Sequence, residues 1–197
     1  MSEWFTHPEP DVHMAGDDKG RSYTPDQCAH AVLVSMGSRM RPPSTMLEPC
    51  VGGGAFVRAA RKVWGTGLCI VGTDTDPAAP GLKLCTAGVV KDARQAHPPD
   101  FDLVITNPPF GKAVGQETTV AIMEAGRRAT HPGHGVWAMV VPLDYLAQAG
   151  LEHLVRSCTH VRPLLPRPFT QERGMVLLVK DNARSGPCIH EPLRWKA

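Results

Sequence analysis

Leu47-Glu48-Pro49-Cys50-Val51-Gly52-Gly53-Gly54-Ala55-Phe56 is the stretch that decides how the rest of the chain is read. A short apolar run at 45–47 ends in an acid and a proline, three glycines follow, and an apolar, helix-like run begins at Ala55. Glycine reaches positive φ without a steric penalty and lets the backbone approach a ligand closely. A strand leading through such a turn into a helix is the opening unit of a parallel α/β sheet, whose ligands bind at the carboxyl ends of the strands. The turn is not a dinucleotide fingerprint, because the third glycine of G-x-G-x-x-G would fall on Val57. Nor is there a G-x-x-x-x-G-K-[ST] phosphate loop. A carboxylate just before the glycines suits a cationic ligand group better than a pyrophosphate.

Working outward, apolar strand candidates alternate with helix-like stretches. Strands are expected at Thr45–Leu47, Leu68–Gly72, Val89-Val90, Leu103–Ile105, Val136–Val141 and Met175–Val179. Helices fit at 55–63, 113–129 and 143–157, and Thr24-Pro25-Asp26 reads as a helix start with Thr24 as N-cap and Pro25 in the first turn. This rhythm predicts βαβ units and a largely parallel sheet. It breaks at the end: His160–Leu165 and 175–179 have no helix between them, so they should form an antiparallel hairpin. Asp74 closes the second strand, at a distance from the glycines that suits an acid binding ribose hydroxyls. A glycine turn, a ribose acid and no phosphate site together describe a nucleoside with a cationic tail, which S-adenosylmethionine is.

The most specific feature is Asp102-Leu103-Val104-Ile105-Thr106-Asn107-Pro108-Pro109-Phe110. Two prolines after a strand stiffen the turn and remove N–H donors at 108 and 109. The Asn107 side-chain carbonyl and the Pro108 backbone carbonyl are then two acceptors that can grip an exocyclic amine. The ring of Phe110 can stack on the flat group that carries that amine.

Composition narrows the alternatives. With 197 residues and 42% of them hydrophobic, the chain has enough material for one α/β domain with a core. No apolar run approaches bilayer length and the N-terminus has no signal-peptide core, so no membrane partner is expected and the location reads as cytoplasmic. The six cysteines include no C-x-x-C pair; they read as reduced thiols, and no metal is expected. The net charge of +2 averages two unlike ends. Residues 1–20 carry five acids and one base, an irregular arm to about residue 21. Residues 151–197 carry eight bases and four acids.

Tyr23-Thr24-Pro25, Glu48-Pro49-Cys50-Val51-Gly52-Gly53-Gly54, Gly72-Thr73-Asp74-Thr75, Asp92 and Asn107-Pro108-Pro109-Phe110 stand in the order found in amino-group methyltransferases. Over roughly residues 22–180 the chain resembles the class I S-adenosylmethionine-dependent adenine-N6 methyltransferases. That resemblance implies a Rossmann-like fold, a seven-stranded, mostly parallel sheet with a C-terminal antiparallel hairpin, in a single catalytic domain spanning 22–197. It implies that Glu48, Gly52 and Gly54 line the methionine and ribose end of the cofactor and that Thr24 and Pro25 flank its methionine. Asp74 then takes the ribose hydroxyls and Asp92 the cofactor adenine. Tyr23, Pro49, Cys50, Phe56, Thr75 and Asn107 also bind the cofactor, and Asn107, Pro108, Pro109 and Phe110 take the target amine. Phe169 matches a second aromatic against the target base, and Lys112 and Arg167 are the phosphate contacts expected first. The implied substrate is adenine in DNA, in a bacterial, phage or plasmid setting. The alternatives are adenine in RNA, a protein glutamine, or a non-catalytic binding protein of the same fold. The span from Phe110 to Phe169 leaves no room for a separate target-recognition domain, so specificity would come from loops, a second copy or a partner protein.

Overall fold

A computed structural model describes residues 23–110, 114–147, 151–165 and 174–194. The irregular arm expected at 1–21, and Lys112, Arg167 and Phe169, lie outside the described residues.

The chain runs α1 (Asp26–Gly37), β1 (Thr45–Glu48), α2 (Ala55–Trp64), β2 (Cys69–Asp74), a 3-10 turn (Pro80–Leu84), β3 (Ala87–Val90) and β4 (Leu103–Thr106). It continues with α3 (Gln116–Ala129), β5 (Val136–Pro142), a 3-10 turn (Leu143–Ala147), α4 (Glu152–Ser157), β6 (His160–Leu165) and β7 (Met175–Asp181). Two short strands, β8 (Ile189–His190) and β9 (Leu193–Arg194), finish it. The strands lie in the order β3-β2-β1-β4-β5-β7-β6-β8, and β9 pairs with β6. β1 to β5 are parallel to one another. β7 is antiparallel to both neighbours. This is the class I methyltransferase fold, with β6 and β7 antiparallel as the sequence, which offers no helix-like stretch between them, predicts.

Alternation along the strands builds two apolar layers. Met46, Ile70, Leu103, Ile105, Ala138 and Val140 face α1 and α2, which present Val32, Leu33, Phe56 and Ala60. Leu47, Val104, Trp137, Met139 and Val141 face the other way, against Met123 and Ala129 of α3 and Leu154 of α4. Because both faces are covered, β4 and β5 are buried at every position, and they read in sequence as unbroken apolar runs rather than alternating ones. Each large side chain here contributes roughly 1.5–3 kcal/mol by leaving water.

Several boundaries differ from expectation for physical reasons. Pro25, not Thr24, is the N-cap: its φ of −60° and ψ of 139° are extended, and its carbonyl accepts the first helical bond, from Ala29 N–H at 3.0 Å. The helix expected at 113–129 begins at Gln116, after Gly115 at φ 77°. The stretch expected as one helix at 143–157 contains a 3-10 turn and a six-residue helix. The sheet carries two strands beyond the seven expected, since β8 and β9 are two residues each and have no apolar run to announce them. No helix follows β3; the chain crosses to β4 through 91–102, leaving β3 as an exposed edge.

The order of strands reverses at β1, which sits between β2 and β4. The crevice above that reversal is where an open α/β sheet takes its ligand.

Candidate active site

Three strand ends meet at this crevice. Glu48 is the last residue of β1, Asp74 the last of β2, and Asn107 follows β4 directly. The parallel registers Glu48↔Gly72 and Leu47↔Val104 bring these ends to one level.

The glycine turn is held by a dense backbone network. Val51 N–H donates to the Thr73 carbonyl at 2.9 Å, and Gly54 N–H to the Val51 carbonyl at 2.7 Å. Gly52 has φ 45° and Gly54 φ 80°, conformations an L side chain adopts only with strain. The Tyr23 ring covers the turn: a Cβ on Gly52 would lie 2.9 Å from Tyr23 Cε1. Arg58 of α2 ties the two helix starts together. It donates to the Gly53 carbonyl at 2.6 Å and pairs with Asp26 at 2.6 and 2.8 Å. Tyr23 therefore lies against the glycine turn, and Thr24 and Pro25 follow it into α1.

Asp74 is oriented by the loops around it. Its Oδ2 accepts Gly52 N–H at 2.9 Å and its Oδ1 accepts Asp76 N–H at 2.9 Å. Asp76 accepts Ala78 N–H at 3.0 Å within its own loop. Thr75 is exposed beside them. Asp92 is gripped by Arg94, whose Nη2 lies 2.5 Å from Oδ2, and this pairing holds its carboxyl below the usual range. A cofactor amine would have to share that carboxylate. Pro49 is buried and its carbonyl takes the Thr73 hydroxyl at 2.8 Å. Phe56 is a core residue, 1% exposed, so it supports the turn from below.

Two acceptors stand out. Glu48 is 3% exposed, and its Oε2 has no hydrogen-bond partner among the described residues. Burial pushes its carboxyl well above the ordinary value; Arg58 pulls the other way, Asp74 adds to the rise, and a bond from Val57 N–H opposes it. The Asn107 Oδ1 is likewise buried without a partner among the described residues. Burial and the nearby Asp74 also keep the Cys50 thiol protonated well above its usual value. Buried acceptors without donors are costly, and they call for an explanation. Among the described residues, the crevice thus presents two buried acceptors, Glu48 Oε2 and Asn107 Oδ1, that await donors.

The Asn107 loop is fixed from both sides. Pro108 is buried, and Phe110 is half-buried against both apolar layers. Thr119 of α3, itself buried, donates to the Pro109 carbonyl at 2.8 Å.

Three contributors carry no sequence signal of their own. Arg58 and Thr119 sit on ordinary helix faces. Gly81, in the 3-10 turn, donates to the Gly52 carbonyl at 2.8 Å, and a Cβ there would meet Gly54 N at 2.8 Å and Gly52 O at 2.9 Å. It looks like a plain turn glycine until the fold brings it against the other turn. No group of three His, Cys, Asp or Glu able to hold a metal occurs among the described residues. No helix among them is long and apolar enough to cross a membrane.

Known proteins add the following. No family model matches the chain. It is 43% identical over 67 residues to the type II methyltransferase M.TthHB8I of Thermus thermophilus, a match covering 34% of this chain and 16% of that protein. The EcoKI M protein of a type I restriction enzyme superposes with a TM-score of 0.66 at 17% identity, over 87% of this chain and 48% of that one. A Listeria monocytogenes protein assigned to the class I S-adenosylmethionine-dependent methyltransferases superposes at 0.65 with 17% identity, over 88% of this chain and 65% of its own. The chain thus spans about a sixth of the curated relative and less than two thirds of these structures.

Proposed function

We propose that the chain is an S-adenosylmethionine-dependent methyltransferase acting on the exocyclic N6 amine of adenine in DNA. The observation that carries this reading is the pair of buried, unpartnered acceptors, Glu48 Oε2 and Asn107 Oδ1, at the reversal point of the sheet. A cofactor with an ammonium and a substrate with an amine would satisfy one each. The 67-residue likeness to a type II methyltransferase supports the same reading.

The residues present fit the cofactor. Glu48 would take the ammonium, the Gly52–Gly54 turn would lie along the methionine and ribose, and Asp74 has carboxylate lone pairs left for the ribose hydroxyls. When bound, S-adenosylmethionine supplies a methyl group already activated on its sulfonium. The protein's part is then to hold the amine in line and to stabilise charge as it develops. Adenine N6 is a weak nucleophile because its lone pair is delocalised into the ring. Asn107 Oδ1 and the Pro108 carbonyl, accepting from N6–H, favour the pyramidal nitrogen and return the lone pair to it. They bind more strongly as N6 gains positive charge, which is what lowers the barrier. The surplus proton leaves for water afterwards. In duplex DNA the base must first leave the stack, costing a few kcal/mol. Stacking on Phe110 would return ~1–3 kcal/mol. The DNA phosphates would meet Lys112 and Arg167. A homodimer or a specificity partner belongs to the same proposal.

The test is incubation with methyl-labelled cofactor and, separately, duplex DNA, single-stranded DNA, ribosomal RNA and a translation release factor. N6-methyladenine in DNA is expected after digestion. Label only in RNA or on glutamine would overturn the substrate assignment.

Two further outcomes follow from positioning. Thr119→Val removes the hydroxyl that holds Pro109 and is expected to cost about 1 kcal/mol of stability. It should slow transfer at saturating cofactor while leaving cofactor affinity unchanged in calorimetry. Gly81→Ala forces a methyl against the backbone of the glycine turn, costing roughly 1–3 kcal/mol. Its expected signature is the reverse: weakened cofactor binding, with the rate restored once cofactor is saturating.

A further inference from the structure

The amino end of the sheet, opposite the candidate active site, holds a second cleft. It lies between the α1–β1 connection, the starts of β4 and β5, and the end of β7, with a volume of about 410 Å³. That falls in the range of small-molecule sites. Its walls carry Arg39, Arg41, Arg184 and His134, and Met40, Pro42 and Pro43 supply an apolar surface. A smaller cavity shares Arg39, Met40, Val136 and Asp181 with it, and adds His160 and Arg162.

The charges are incompletely matched. Arg39 pairs with Glu191 at 2.6 Å, Arg184 with Asp181 at 3.2 Å, and His134 with Asp102 at 2.8 Å. Arg162 shares Glu191 at 3.5 Å and donates to the Ser35 hydroxyl. Arg41 is exposed, and the two acids on the cleft wall among the described residues, Asp102 and Asp181, are already paired with His134 and Arg184. Deeper in, two polar atoms are orphaned. His160 is 5% exposed and Arg162 8% exposed, yet His160 Nε2 and Arg162 Nε have no partner. Burial lowers the basicity of both side chains, the neighbouring arginines add to the drop, and Glu191 offsets only part of it. The His134 ring of the wall lies against that of His131, with centroids 3.7 Å apart.

We propose that this cleft is a second ligand site that takes a small phosphorylated molecule of nucleotide size. Arg41 and the unshared guanidinium N–H groups of Arg39 and Arg184 would hold the phosphate, since planar guanidinium groups match its oxygens in pairs. Met40, Pro42 and Pro43 would lie against the flat or apolar remainder. The site is separate from the crevice of Glu48 and Asn107, so it stands whether or not the methyltransferase reading does.

The probe is a pyrimidine nucleotide, which keeps it apart from a cofactor pocket suited to adenosine. Calorimetry of the full chain, saturated with S-adenosylhomocysteine, is run with CMP, inorganic phosphate, cytidine and a twelve-residue single-stranded DNA. CMP is expected to bind, phosphate to compete with it, and cytidine to give no heat. Arg41→Gln, at an exposed side chain the fold does not use, should weaken CMP roughly tenfold with an unchanged melting temperature. Arg184→Gln should weaken it as well. Absence of binding by CMP and phosphate, or CMP affinity unaltered by Arg41→Gln, would overturn the proposal. Binding of the DNA through Arg41 that CMP does not displace would also overturn it, in favour of a nucleic-acid surface.

Discussion

Asn107→Ala is expected to lower the rate of methyl transfer by at least about a hundred- to a thousandfold, the loss seen when a group that stabilises developing charge is deleted. Cofactor affinity should stay near that of the unaltered protein. The reasoning rests on what the alanine leaves behind. The loop keeps its two prolines, the buried Pro108 and the Thr119 bond to the Pro109 carbonyl, so its path does not depend on the Asn107 side chain. The carboxamide disappears, and its Oδ1 has no partner among the described residues to lose. Single-turnover rates at saturating cofactor, read beside calorimetric cofactor affinity, separate the two effects. Asn107→Asp sharpens the test. It keeps an acceptor at the same place but adds a charge to a crevice that already holds Glu48 and Asp74. Transfer by this variant should exceed that of the alanine variant. Wild-type transfer by Asn107→Ala would remove Asn107 from the chemistry altogether.

How much of this was legible beforehand depends on which contacts are local in sequence. The strand–glycine–helix unit at 45–56 and the Val-Ile strand before Asn107 carry their own signals: apolar runs bounded by turn residues. The antiparallel place of β7 follows from the lack of a helix-like sequence between 165 and 175, and the sheet order realises it. Helix starts were less legible. Thr24 has the right chemistry for an N-cap, but Pro25 takes that place because its extended backbone already points its carbonyl into the first turn. β8 and β9 were illegible, since two residues show no period. The support of the site was hidden for another reason. Arg58 against Gly53, Thr119 against Pro109 and Gly81 against Gly52 are contacts between separate elements, fixed only when the sheet closes. Glu48 shows the same division. Its place before the glycines was plain in the sequence, whereas its burial comes from packing.

That burial makes Glu48→Gln the most informative single change, because stability and function should move in opposite directions. The folded protein raises the Glu48 carboxyl above its unfolded value, chiefly by desolvation. A carboxyl so raised binds a proton more tightly folded than unfolded, so stability falls as pH rises between the two values. Its contribution is complete below the unfolded value of about 4.3 and is lost as pH passes the raised folded value. Above that window the cofactor-free protein carries an ionised, poorly solvated acid. Glutamine has nearly the same shape and no charge to desolvate. The Gln variant should therefore melt at a higher temperature than the unaltered protein near neutral pH and above, and the difference should vanish in acid, where Glu48 is protonated. Cofactor binding should show the opposite. An ammonium beside the carboxylate favours the ionised form, so binding releases a proton, and affinity climbs with pH across the same window. Glutamine cannot form that ion pair and should weaken the cofactor by roughly 2 kcal/mol or more, about thirtyfold, with affinity flat in pH. Calorimetry in two buffers of different ionisation enthalpy reads the released proton directly. A Gln variant that melts lower at neutral pH would show that Glu48 is held by a partner inside the protein. One that binds S-adenosylmethionine as tightly as before would show that the ammonium goes elsewhere.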